Sequence, residues 1–124
     1  MLINLSNHPQ NKWSSKQKEI ALKKFNNIID LSFPAINPEF SKKDVRDIAE
    51  NYFEKIIEIF NKTTDEKKLN AVHIQGEFTF VFQLVSLLKN NNIKCIASTS
   101  KRKVTEVKNG KKIAEFEFVK FREY

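Results

Sequence analysis

The stretch Phe78-Thr79-Phe80-Val81-Phe82-Gln83-Leu84-Val85-Ser86-Leu87-Leu88 decides the fold, because two periods fit it. Phe78, Phe80 and Phe82 alternate as in a strand, while Val81, Leu84, Val85 and Leu88 recur as on a helix. Its length, the Asn90-Asn91-Asn92 stop and the fresh apolar run Ile93-Lys94-Cys95-Ile96-Ala97 select the helix, since two parallel strands need such a crossover between them. Apolar residues all round this helix predict that it is buried. Upstream, Ala71-Val72-His73-Ile74-Gln75 reads as a strand ending at Gly76, so residues 71 to 97 form a strand-helix-strand unit.

Earlier in the chain the same alternation repeats. Met1 to Ser6 is a short buried strand that stops at Ser6-Asn7-His8-Pro9. Ser14 followed by Gln17 has capping-box spacing, and Ile20, Ala21 and Phe25 predict a helix over about residues 15 to 26. A second strand spans Asn27 to Phe33, closed by Pro34. Ser41, with Asp44 three residues on, opens the strongest helix, apolar at Val45, Ile48, Ala49, Tyr52, Phe53, Ile56, Ile59 and Phe60. The tail is a hairpin, Val104 to Val107 and Ile113 to Phe121, joined by Lys108-Asn109-Gly110-Lys111, whose Asn-Gly pair suits a type I′ turn. The order predicts a single α/β domain over residues 1–124, a Rossmann-like, mostly parallel sheet with helices on both faces and a C-terminal antiparallel hairpin.

At 14.5 kDa the chain can hold one layered core. A hydrophobic fraction of 40% and eleven Phe argue against disorder. No apolar run approaches the roughly 20 residues that cross a bilayer, and Met1-Leu2-Ile3-Asn4-Leu5 lacks a basic leader, so a cytoplasmic protein without membrane contact is expected. One cysteine, Cys95, and two distant histidines, His8 and His73, argue against disulfide and metal chemistry, and no cofactor is expected. The net charge of +7 suits an anionic partner. Lys far outnumbers Arg, however, and Asn and Ile abound, which a coding bias toward A and T also produces, so only cations placed at a site are informative.

In a doubly wound sheet, ligands bind outside the carboxyl ends of the strands. That rule selects Ser6, Asn7 and His8 after the first strand, Gln75, Gly76, Glu77 and Thr79 after the third, and a loop of Ser98, Thr99, Ser100, Lys101 and Arg102 after the fourth. Hydroxyls, amides, an imidazole and two cations are donors suited to phosphate oxygens and nucleobase edges, and Gly76 lets a ligand approach backbone N–H groups at a helix start. Neither G-x-x-x-x-G-K-S/T nor G-x-G-x-x-G is present, the chain holding only Gly76 and Gly110. Other readings stand beside these: Ser6 and Asn7 as turn residues before Pro9, Glu77 as an acid steadying a helix start, His73 as a satisfied interior histidine. Trp13 either staples the first helix or covers a ligand base.

With these residues the chain resembles the small stand-alone CRISPR-associated Rossmann-fold (CARF-like) proteins, including ring nucleases, which bind or cleave cyclic oligoadenylate messengers. The resemblance lies in the opening Leu2-Ile3-Asn4-Leu5-Ser6-Asn7-His8-Pro9, in His73-Ile74-Gln75-Gly76-Glu77-Phe78-Thr79, in Ala97-Ser98-Thr99-Ser100 and in the close Phe118-Val119-Lys120-Phe121-Arg122-Glu123-Tyr124. Ser98 and Arg102 match a hydroxyl followed four residues later by a base, whereas Ile96 stands where the superfamily usually has Asp or Asn. The resemblance implies a homodimer holding a ring-shaped RNA across its two-fold axis. It implies metal-independent cleavage by a ribose 2′-hydroxyl, with His8 moving a proton, Arg102 or Lys101 stabilising charge, and Asn7, Gln75 and Thr99 positioning phosphate or adenine.

The same pocket fits a non-catalytic sensor or sponge, and the polar loops also fit a structural or protein-binding module. A binder of long nucleic acid is not expected, because no helix-turn-helix, RNA-recognition or OB motif is recognisable.

Overall fold

Strand β1 (Leu2–Ser6) is buried at every position, as a strand covered on both faces must be, and its side chains alternate between two different surroundings. The structure, a computed structural model, describes residues 1–107 and 109–124. Ile3 and Leu5 join Val72, Ile74 and Cys95 in a core roofed by α2 (Lys42–Lys62) and α3 (Phe78–Asn90). Leu2, Ala71 and Ile96 face the other way, against Ala21 and Phe25 of α1 (Ser15–Phe25) and Phe118 and Phe121 of the last strand. Helices therefore cover both faces.

The five strands lie in the order β2-β1-β3-β4-β5, with β2 (Ile28–Asp30), β3 (Ala71–Gln75), β4 (Lys94–Val107) and β5 (Lys111–Glu123). The first four are mutually parallel, and β5 pairs antiparallel with β4 at the edge. Strand order reverses between β1 and β3, the switch point of a doubly wound sheet. Among the described residues no helix is long and apolar enough to cross a membrane.

Both expected helix starts are present. Ser41 Oγ accepts the Asp44 N–H (3.2 Å) and an Asp44 carboxylate oxygen accepts the Ser41 N–H (2.9 Å), closing a capping box. Ser14 Oγ accepts the Gln17 N–H (3.2 Å), but the Gln17 side chain does not close a box; it reaches across the sheet to Ser98.

Three expectations are corrected. The second strand is shorter than residues 27 to 33, because Leu31 and Phe33 leave the sheet and pack on the α2/α3 core. Ser98 to Arg102 is not a loop: β4 runs without interruption to Val107, continuing the strand after its pairing with β3 has ended at His73 and Ile96. From there β4 and β5 form a two-stranded arm, with a register shift between Thr99 and Ser100. At the tip Asn109 and Gly110 both take positive φ (85° and 70°), the conformation for which an Asn-Gly pair is suited. Lys108, part of the expected turn, lies outside the described residues.

The third correction concerns Gly76. The space above it is filled by the ring of Phe33, into which a Cβ would project, so its missing side chain admits an aromatic ring rather than a ligand. Phe33 in turn meets Phe80 edge-on at 5.1 Å. Gly76→Ala is expected to destabilise the fold by about 1–3 kcal/mol, the usual range for overpacking, read as a lower urea midpoint with an unchanged slope.

Candidate functional site

Period-two alternation does on the α1 face what no loop does. Asn4 and Ser6 of β1, His73 and Gln75 of β3, and Ser98 of β4 all follow, on the same face, the apolar residues Leu2, Ala71 and Ile96. The amino half of that face is therefore core and its carboxyl half polar. Above it opens a cleft of about 390 Å³ whose lining includes Ser6, His8, Gln75, Ser98, Thr99 and Ser100, together with Lys12, Trp13, Gln17 and His73.

The hydrogen bonds under the cleft fix one another. Asn4 Nδ2 donates to Asp30 Oδ1 (2.8 Å) and to the His8 carbonyl (2.9 Å), so Asn4 Oδ1 must face the other way. There it accepts from Ser6 Oγ (2.9 Å) and lies 2.9 Å from His73 Nδ1. Nδ1 of His73 therefore faces an amide oxygen, the arrangement that suits an Nδ1–H tautomer, and Nε2 lies 3.0 Å from a second amide oxygen, Gln75 Oε1. Ser98 Oγ lies 2.8 Å from His73 Nε2 and accepts from Gln17 Nε2 (3.0 Å). Gln75 replaces a missing stretch of ladder: its Nε2 donates to the Ser98 carbonyl (3.1 Å), and its Oε1 accepts the Ser98 N–H (3.2 Å).

His73 is only 2% exposed. Burial pushes its pKa down to about 4, against a partial pull upward from the Gln75 oxygen, and nearby His8 adds to the lowering. Trp13 stands edge-on to the His73 ring at 5.3 Å, and its Nε1–H is held by the His8 carbonyl (3.0 Å). Trp13 thereby walls the cleft and fixes the loop that carries His8.

Of the residues expected at the site, six line the cleft: Ser6, His8, Gln75, Ser98, Thr99 and Ser100. Thr99 uses its hydroxyl on the backbone of Lys120, at the register shift (3.1 and 3.3 Å). The cleft lining does not include Asn7, Gly76, Glu77, Thr79, Lys101 or Arg102. Glu77 caps α3, accepting the Phe80 N–H (2.7 Å) and the Thr79 hydroxyl, bonds that hold its carboxyl below the usual range. Lys101 and Arg102 lie on the exposed arm, paired in register with Glu117 and Phe116. Lys12 is the cation that lines the cleft.

The sequence marks neither Asn4 nor Lys12 as a site residue, marks Gln17 only as a helix cap, and fits His73 to an interior histidine. One signal was available: in strands buried on both faces, Leu2-Asn4-Ser6 and Ala71-His73-Gln75 each turn polar at every second residue toward the carboxyl end.

Fold and cleft define a Rossmann-like α/β domain with its polar pocket at the topological switch point. The chain belongs to the uncharacterized protein MJ1673 family, whose family model matches residues 1–122. No curated protein and no solved structure matches the chain.

Proposed function

We propose that this protein is a cytoplasmic, CARF-like homodimer of CRISPR defence that binds cyclic oligoadenylate in the cleft and opens the ring without metal, by attack of a ribose 2′-hydroxyl on the adjacent phosphorus. The observation that carries the reading is the cleft's composition at the switch point: His8 and Lys12 for phosphate oxygens, Trp13 for a base, Ser98 and Ser100 for hydrogen bonding. In this reading His8 protonates the leaving oxygen, and Lys12 takes the charge-stabilising role that the sequence assigned to Arg102 or Lys101. Arg102, on the projecting arm, serves a ligand that extends beyond the cleft.

A second copy is supported by apolar surface near the same edge. Phe78 (89% exposed), Phe82 and Phe40 form one patch at the starts of α3 and α2, and Phe116 stands exposed on the arm beside the cleft. Light scattering at micromolar concentration is expected to give a dimer mass, and a monomer mass would remove the two-fold arrangement.

The direct test is incubation of the protein with labelled cyclic tri-, tetra- and hexa-adenylate in the presence of a chelator. One ring is expected to bind and to yield linear products ending in a 2′,3′-cyclic phosphate. Binding without products would leave a sensor or sponge, and no binding would remove the reading altogether. Lys12→Ala, at an exposed position, is expected to keep the fold and to weaken binding by about 1–3 kcal/mol through loss of a charge-assisted contact.

A further inference from the structure

Beneath the cleft, a hydroxyl, an imidazole and an amide stand in line. Ser98 Oγ accepts the Gln17 amide N–H and lies 2.8 Å from His73 Nε2; with the ring proton on Nδ1, the hydroxyl proton points along that contact. On the far side of the ring, His73 Nδ1 lies 2.9 Å from Asn4 Oδ1, an acceptor for an Nδ1–H, and Asn4 is held in that orientation by Asp30 and the His8 carbonyl. A half-buried hydroxyl, a base and a group that fixes the base's tautomer are the parts of an activated-hydroxyl site, recognised by geometry rather than sequence order.

We propose that Ser98 and His73 are the proton-accepting pair of this cleft, receiving the proton of a ribose 2′-hydroxyl bound over Ser98. The inference rests on the reading of the cleft as a site for cyclic RNA and adds the route of the proton. As the 2′-oxygen attacks, the O2′–P bond forms and the P–O5′ bond breaks. The 2′ proton passes to Ser98 Oγ while the Ser98 proton passes to His73 Nε2, and the leaving 5′-oxygen takes a proton from His8. No water is consumed. Between turnovers His73 releases its extra proton and His8 regains one through the solvent of the open cleft.

The ring has a place for the extra proton. Gln75 Oε1, fixed by both backbone groups of Ser98, lies 3.0 Å from His73 Nε2, so the imidazolium finds an amide oxygen at each nitrogen. Its surroundings are Asn4 from β1, Gln75 from β3, Ser98 from β4, and the ring edges of Trp13 and Phe121, with His8 in the loop nearby. Among the described residues no carboxylate bonds to it directly, so the phosphorane developing in the cleft supplies the opposite charge. Burial keeps His73 in the neutral, accepting form at neutral pH. His73 acts through Ser98 and is a positioning and relay residue, whereas Ser98 touches the substrate.

The test has three parts. Nitrogen-proton correlation spectra of the imidazoles in the free protein are expected to show His73 with its proton on Nδ1; a proton on Nε2 would leave nothing to accept from Ser98 and would overturn the proposal. With the cyclic oligoadenylate that binds, Ser98→Ala is expected to hold affinity within a few-fold and to lower the single-turnover rate by on the order of 10² to 10⁴. The wild-type rate is expected to rise with pH through an apparent pKa near that of His73 and to fall again at higher pH, where His8 no longer has a proton to give, and Ser98→Ala is expected to lose the rise. An unchanged rate in Ser98→Ala, or binding without cleavage by the wild type, would refute the relay and leave the binding reading intact. Neither binding nor cleavage would refute the binding reading and the relay with it.

Discussion

Acidification from pH 6.5 to 4 is expected to cost the fold about 3 kcal/mol through His73. In the unfolded chain this histidine takes a proton near its ordinary value of 6.5, whereas in the fold burial holds it off until about 4. Between those values the unfolded state binds one more proton than the native state, so stability rises with pH across the window. The contribution is fully present above 6.5 and is lost as pH falls toward 4, at about 1.4 kcal/mol per pH unit. Asp44, Glu58, Asp65, Glu77 and Glu117 have lowered carboxyl pKa values, so their own losses begin only near the ordinary carboxylate range. Urea unfolding at pH 6.5 and 5 isolates the histidine, with an expected difference of about 2 kcal/mol. His73→Gln is expected to flatten that difference, and equal stability of the wild type at the two values would mean that the folded protein already carries a proton on His73.

That residue also shows where sequence reading stops. The rule that ligands bind at carboxyl strand ends leads to the edge of the sheet where the cleft opens and to His8, Gln75 and Ser98 in its lining, because it depends on topology and topology follows from caps and periodicity. It did not find Asn4 or Gln17. A polar residue inside a strand carries no mark of its partner, and the bond from Gln17 to Ser98 joins residues 81 apart in the chain. The sequence fits His73 to a satisfied interior histidine, and it is hydrogen-bonded at both nitrogens; what sequence does not show is that one of its partners is a cleft hydroxyl.

The arm escapes the sequence pattern for a related reason. Ser98 to Lys103 is polar and charged without a buried face, so it looks like a loop. In the structure its backbone pairs with β5 alone, and its side chains match across the strands, Lys103 forming an ion pair with Glu117. Strand pairing that buries little leaves little hydrophobic pattern. By contrast α2, with a closed capping box and buried Val45, Ala49, Ile56 and Phe60, announces itself at both levels.

The three phenylalanines of α3 are expected to separate sharply under alanine substitution, with Phe80→Ala destabilising the fold by about 3–5 kcal/mol and Phe78→Ala and Phe82→Ala by under about 0.5 kcal/mol each. Their alternation would place all three on one face of a strand. A helix turns 100° per residue, so it carries Phe80 inward with Leu84, Val85 and Leu88 and swings its neighbours out. Phe80 is fully buried, edge-on to Phe33 at 5.1 Å and to Tyr52 at 5.5 Å, while Phe78 is 89% and Phe82 71% exposed. Truncating Phe80 opens a cavity beneath the ring that fills the space over Gly76, and Tyr52 cannot easily close it because its hydroxyl is bonded to the Ser32 carbonyl (2.8 Å). Urea unfolding at two protein concentrations measures all three variants. If a second copy covers Phe78 and Phe82, their alanine variants leave the monomer's stability unchanged and abolish its concentration dependence, whereas Phe80→Ala lowers stability at either concentration. Equal losses at all three positions would show one continuous buried face, which only a strand provides.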